Sequence, residues 1–191
     1  MPKVYIASWF ASKDEMKKKA EELRANGIEV TSRWLEEKVA GTVQIKDVED
    51  DYLRETAQFD IEDILQANVV VLNVPSAEDL KKPDVPISSW ARGGRHFEAG
   101  FQYATMLFYW CLPDLIRDRG NRYLILVGHK ENVFHFLDSI EKNKYADSIR
   151  LPVIHTYETW DAAQKALVAS ATDEEITKKE HETLTSYGII A

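Results

Sequence analysis

The sequence predicts a three-layer α/β fold around a central, mainly parallel five-stranded sheet, and three observations carry that expectation. The chain opens with a β-rich run at Val4–Ser8, a polar helical pattern and a second β-rich run at Ile28–Ser32, which together read as a strand–helix–strand unit with a right-handed crossover. Two later runs, Val69–Val74 and Tyr123–Gly128, are almost continuously apolar, the pattern of central strands covered on both faces. Segments of helical periodicity separate them. With 191 residues and 45% hydrophobic content, the chain is long enough for one domain with a sizeable core, and two full domains would be crowded.

The elements follow in order. The first helix carries Met16, Ala20 and Leu23 on one face and closes at Asn26-Gly27, a C-cap signal. Trp34–Thr42 lacks periodicity and reads as irregular. Ile45–Ala67 is a long helical pattern in which Leu53, Ala57, Ile61, Ile64 and Leu65 recur at three- and four-residue steps. Pro75–Trp90 contains three prolines, two adjacent serines and mixed charges, and reads as a long loop at the carboxyl edge of the sheet. Gly93-Gly94 then opens an amphipathic helix through Phe101, Tyr103, Ala104, Leu107 and Phe108, which Pro113 breaks before a short charged connection at Leu115–Arg119. Glu131–Ile140 reads as a short helix, Leu151–His155 as a fifth strand, and Thr159–Ala169 as a closing helix with Trp160, Ala163 and Leu167 on one face. The arrangement is flavodoxin/Rossmann-like, with a domain over residues 1–171. Residues 172–191 form a charged tail ending in an apolar tip, either solvated or docked on a neighbouring subunit.

Composition narrows the function. A net charge of -8 argues against a surface built to coat nucleic acid, which needs clustered Lys and Arg. No apolar run approaches membrane-spanning length, and Met1-Pro2-Lys3-Val4-Tyr5 enters a strand rather than the apolar region of a signal peptide, so a soluble, unprocessed protein without a membrane partner is expected. The single cysteine, Cys111 between Trp110 and Leu112, has no internal disulfide partner, which fits a reducing cytoplasm. His129, His135 and His155 lack metal-ligand spacing, so no metal is expected. The first strand is not followed by a phosphate-cradling glycine loop, which argues against flavin or dinucleotide binding and leaves no cofactor implied.

Ligands of parallel α/β sheets bind beyond the carboxyl ends of the strands, which places Tyr5, Ser8, Trp9 and Phe10 where a pocket is expected. Trp9 and Phe10 either stack a flat base or close the end of the sheet. The stretch Gly93-Gly94-Arg95-His96-Phe97-Glu98 joins two glycines that admit a close backbone approach to the unpaired N–H groups of a helix start. That setting favours an ionised Glu98, a candidate nucleophile; the plainer reading is a first-turn acid suited to the helix dipole. Asp60 lies at the edge of an apolar stripe, where an unpaired carboxylate is expensive to bury, so it needs a capping partner or a ligand; Asp63, one turn on, reads as solvated. Arg92 and Arg95 flank the two glycines in the manner of a phosphate site, whereas His96 points to another helix face.

In this order, Tyr5 with Trp9-Phe10, Asp60 ahead of Asn68 and Val69-Val70-Val71, Glu98-Ala99-Gly100, and Val127-Gly128 followed by Asn132 resemble the nucleoside 2-deoxyribosyltransferase-like proteins. That family includes deoxyribosyltransferases and nucleoside 5′-monophosphate N-glycosidases. The likeness spans Tyr5 to about Leu167 and implies that Glu98 attacks the anomeric carbon of a nucleoside, that Asp60 handles the proton of the leaving base, and that Tyr5 orients Glu98. Ser8, Trp9, Phe10, Arg92, Gly93, Gly94 and Arg95, from their positions, and Asn132, from the resemblance, are the expected substrate contacts, with a free nucleobase or water as the acceptor that the resemblance implies. Asn132 by this resemblance reaches the sugar of a neighbouring subunit in a homo-oligomer; read by itself it is a helix N-cap. The sequence departs from the family at Asn68, where members usually carry Asp, and at Arg92, where transferases often place an acid. The segments Pro75–Trp90 and Thr105–Arg122 are also longer than usual. The loop Ser8–Ser12 lacks the arginine and glycines of the monophosphate hydrolases and is closer to the nucleoside transferases. A binding module that senses a nucleotide, and a flavodoxin-like domain with no nucleotide role, are the readings from other classes.

Overall fold

The computed structural model describes residues 2–37, 49–74, 93–110, 122–128 and 154–171, without the side chains of residues 11, 93–96 and 107–110. The expected loop at 75–90, helix at 131–140 and tail at 172–191 lie outside the described residues, as do Arg92 and Asn132.

Strands β1 (Lys3–Ala7), β2 (Glu29–Val30), β3 (Val69–Val74), β4 (Tyr123–Gly128) and β5 (Ile154–Tyr157) form one sheet in the order β2-β1-β3-β4-β5, and every pairing is parallel. Helices α1 (Lys13–Ala25), α2 (Asp50–Gln66), α3 (Gly93–Trp110) and α4 (residues 160–171) flank it, with short 3₁₀ turns at Phe10–Ser12 and Arg33–Glu36. Lys19 on α1 lies 5.2 Å from the Trp160 ring at the start of α4, which puts these two helices on one face. The Tyr5 hydroxyl reaches both α2 and α3, which puts those two on the other. Parallel strands covered on both sides become apolar throughout, and Val4, Ile6, Val70, Val71, Leu72, Leu124 and Leu126 are fully buried. Among the described residues no helix is long and apolar enough to cross a membrane.

Several boundaries differ from expectation. α1 ends where Asn26-Gly27 predicts: the N–H groups of Gly27 and Ile28 cap the carbonyls of Arg24 and Leu23, and Gly27 takes φ +79° at no steric cost. β2 is only two residues long. Past it the Thr31 N–H still donates to the Val4 carbonyl at 2.9 Å, and side chains then take over: Ser32 Oγ accepts the Ile6 N–H at 2.6 Å, and the Trp34 indole donates to the Ile6 carbonyl at 2.7 Å. The supposedly irregular Trp34 segment therefore begins with a 3₁₀ turn, Arg33–Glu36, sewn to the sheet. On α2, Ile64 is buried but Leu65 and Ala57 are exposed, so the apolar stripe is narrower than its periodicity indicates. On α3 the buried row is Ala99, Gln102 and Met106, whereas Ala104 faces solvent. β5 runs to Tyr157, two residues past the expected end.

Candidate active site

The chain reverses its direction of travel across the sheet between β1 and β3, the switch point at which parallel α/β sheets leave a crevice. Tyr5 sits at the centre of β1, paired with Val70, and its side chain is fully buried. Its hydroxyl lies 3.1 Å from Asp60 Oδ1 on α2 and 2.7 Å from Glu98 Oε1 on α3. Residues far apart in sequence thus converge on one phenol oxygen, and both carboxylates are half-buried.

Local structure explains why they meet. β1 carries Tyr5 between Val4 and Ile6, and alternation sends the phenol to the face opposite their side chains. α2 is held against the 3₁₀ turn by Arg33, whose backbone N–H and Nε donate to Asp63 at 2.8 and 2.7 Å. Asp63 is 3% exposed, so the expectation of a solvated acid is corrected: it is a buried anchor one turn beyond Asp60. Asn68 is also structural, its Oδ1 accepting the Lys3 N–H at 3.2 Å where β1 begins. Glu98 is the sixth residue of α3, whose first turn contains no acid. The helix-start argument for its ionisation therefore fails, because the dipole effect fades beyond the first turn. The Tyr5 hydroxyl is one hydrogen-bond partner of Glu98.

Burial is the largest influence on both Tyr5 and Asp60. Burial, followed by the charges of Glu98 and Asp60, holds the Tyr5 phenol well above its ordinary pKa, so it stays a proton donor at neutral pH. Burial raises the Asp60 carboxyl above the usual carboxylate range; Tyr5 opposes the rise by hydrogen bonding, Asp63 adds to it and Arg33 counters it. A third carboxylate, Glu37, is half-buried and likewise raised, first by burial and then by the charge of Asp60, against the pull of Lys13.

At the mouth, Ser8 Oγ bonds Ser12 Oγ at 2.9 Å and meets Asn73 Nδ2 and the Asn73 carbonyl, each at 3.3 Å. The Ser12 hydroxyl donates to the carbonyl of half-buried Trp9 at 2.8 Å. Phe10 leans on Trp34 with ring centroids 6.1 Å apart, and Lys13 Nζ lies 4.9 Å from the Phe10 ring while donating to the Glu37 carbonyl. Gly128 closes the floor between β3 and β4: it has φ +97°, and a Cβ there would stand 2.3 Å from the Val74 carbonyl oxygen. Gly93 and Gly94 open α3 as expected; the side chain of Arg95 lies outside the described residues. Among the described residues no His, Cys, Asp and Glu cluster is arranged to hold a metal ion.

Sequence reading did not single out Glu37, Lys13, Trp34 or Asn73. Asn73 had a legible signal, since it interrupts an apolar strand one residue before its carboxyl end. Glu37 had none, because it lies in an aperiodic segment and approaches Asp60 only through the fold.

No family model matches the chain, and no curated protein does. Among solved structures, it is similar to a 2-deoxyribosyltransferase from the psychrotolerant bacterium Bacillus psychrosaccharolyticus, at 14% identity over 85% of this chain and 90% of that one, with a TM-score of 0.48. It is also similar to a CMP N-glycosidase of Clostridium botulinum, at 15% identity over 86% of this chain and 97% of that one, with a TM-score of 0.41.

Proposed function

We propose that this chain cleaves or exchanges the N-glycosidic bond of a 2′-deoxynucleoside through a covalent glycosyl-Glu98 intermediate. The supporting observation is the buried Tyr5 hydroxyl held between Asp60 and Glu98 at the switch point of the sheet. Both carboxylates lie a hydrogen-bond length from one oxygen, and paired carboxyls of double-displacement glycoside chemistry stand about 5–5.5 Å apart. Glu98, oriented by Tyr5, attacks the anomeric carbon and forms an ester. The electron pair of the C–N bond leaves with the base, which takes a proton from Asp60. Burial suits Asp60 to that task, because a raised pKa keeps an acid protonated closer to working pH. In the second half Asp60 takes a proton from the acceptor, whose nitrogen or oxygen displaces Glu98. A free nucleobase as acceptor makes the protein a transferase; water makes it a hydrolase. Trp9, Phe10 and Ser8 line the entry, where the aromatic rings stack the base.

A second reading, hydrolysis of a 2′-deoxynucleoside 5′-monophosphate, draws on the start of α3 at Gly93, next in sequence to Arg92 and two residues before Arg95. Helix-start N–H groups beside two cations suit a phosphate.

Chromatography of the purified protein with each deoxynucleoside and each deoxynucleoside monophosphate, with and without a free base, tests both readings. A new nucleoside formed only with added base marks a transferase, and base released only from monophosphates marks the phosphate-dependent hydrolase. Either activity must disappear in Glu98→Ala. Tight binding without product from any substrate would reject the enzyme in favour of a nucleotide-binding module.

A further inference from the structure

The hydrogen count at Tyr5 does not fit two ionised neighbours. A phenol carries one hydrogen, yet its oxygen lies within hydrogen-bond distance of both Asp60 Oδ1 and Glu98 Oε1. If both carboxyls are ionised, one oxygen–oxygen contact has no hydrogen in it, inside a buried site where that deficit is costly. One added proton resolves it: protonated Asp60 donates to Tyr5 Oη, and Tyr5 donates to ionised Glu98. The shorter contact, 2.7 Å against 3.1 Å, lies on the Glu98 side, as expected of a bond to the charged acceptor.

We propose that the Tyr5 hydroxyl changes acceptor between the two halves of the reaction, donating to Glu98 while that carboxylate is charged and to Asp60 once the charge has moved there. This deepens the proposed function and rests on it, since it takes Glu98 to be the group that becomes an ester. The charges balance. Before attack, Asp60 is neutral and Glu98 carries the negative charge. Afterwards Glu98 is a neutral ester, the leaving base has taken the Asp60 proton, and Asp60 carries the charge. A rotation about the Tyr5 C–O bond moves the one hydrogen to the new anion. Tyr5 is thus a positioning residue for both half-reactions.

Other charges face Asp60 and act on it whichever way Tyr5 points: Asp63 on its own helix, Arg33 from the 3₁₀ turn, and Glu37 just beyond, with Lys13 of α1 tied to the Glu37 backbone. The test must separate Tyr5 from this background, and a double-mutant cycle does so without substrate. The Asp60 carboxyl is titrated by carbon-13 NMR in wild type, Glu98→Gln, Tyr5→Phe and the double variant. Glutamine at 98 imitates the neutral ester. The Asp60 midpoint falls in Glu98→Gln, and the fall is larger with Tyr5 than with Phe at position 5, by about one pH unit, the order expected of a hydrogen bond to a charged group. Equal falls in the two backgrounds mean that only the Glu98 charge was felt, and overturn the proposal. Should Tyr5→Phe fail to fold, the ring Cζ resonance of Tyr5 in Glu98→Gln serves in its place. It must move through the Asp60 titration, and a flat trace overturns the proposal. An inactive protein with a non-additive cycle would sink the functional reading, leaving only a hydroxyl that follows the charged carboxylate, whereas an active one with additive falls would sink the exchange of acceptors alone.

Discussion

Arg33 and Asp63 are joined at two points, the backbone N–H of Arg33 to Oδ2 at 2.8 Å and its Nε to Oδ1 at 2.7 Å. The same guanidinium donates to the Phe59 carbonyl at 3.0 Å and to Glu62 at 2.9 Å, and lies 4.2 Å from the Phe59 ring. The contacts fall on Phe59, Glu62 and Asp63, residues that bracket Asp60 on α2. They set the rotation of that helix, and with it the direction in which Asp60 faces Tyr5. Asp63 is nearly inaccessible whereas Arg33 is partly exposed, so the two partners are not equivalent.

Removing the cation strands a buried anion. Arg33→Met is expected to cost about 2 kcal/mol or more in urea denaturation, below the roughly 3–5 kcal/mol seen when both charges are buried. Asp63→Asn, which keeps an acceptor, should cost less. A loss under about 0.5 kcal/mol in Arg33→Met would mean that Asp63 is solvated after all.

Asp60 carries a stability penalty whose sign follows from its raised pKa. Below the unfolded carboxylate value, about 4, both states are protonated and no penalty exists. As pH rises, the unfolded chain ionises first, and folding loses stability until Asp60 itself ionises. Asp60→Asn is therefore expected to have a higher Tm than wild type at pH 7 to 8, an advantage that vanishes in acid. A variant less stable than wild type at neutral pH would show that the Asp60 charge is well compensated.

Two glycines with positive φ separate steric from conformational cost. Gly27→Ala meets open space and bears only the left-handed backbone, about 1 kcal/mol. Gly128→Ala adds a collision with the Val74 carbonyl that can be relieved only by shifting β3 or β4, and is expected to cost about 2 kcal/mol more. Thermal denaturation of the pair checks this; equal losses would show that the β3–β4 floor yields.

Loss of the Tyr5 hydroxyl leaves two carboxylates without their shared partner. Tyr5→Phe is expected to lower kcat/KM by about 10- to 100-fold, the range of a hydrogen bond to a charged group. Steady-state kinetics on the substrate found by chromatography measures it, and unchanged kcat/KM would remove Tyr5 from the chemistry.

The sheet was legible because its strands are buried on both faces and so become nearly pure apolar runs: Val69–Val74 and Tyr123–Gly128 coincide with their sequence limits. β2 was over-read because beyond the Thr31 N–H the ladder passes to the side chains of Ser32 and Trp34, a substitution that periodicity does not register. Tyr5, Asp60 and Glu98 were each picked out by residue type and position, and the fold brings all three within hydrogen-bond reach. Asp63 was misjudged because its cation lies 30 residues away. The reason offered for Glu98 was also wrong, since α3 starts a full turn before it, and the hydroxyl it meets comes from β1.

The central claim is that Glu98 becomes covalently glycosylated, and rapid acid quench of the protein with a deoxynucleoside substrate, followed by peptide mapping, tests it most directly. The account predicts a deoxyribosyl ester on Glu98 in the wild-type digest and none in Glu98→Gln, which should also lose turnover. A sugar carried by any other residue, or undiminished turnover in Glu98→Gln, would contradict it.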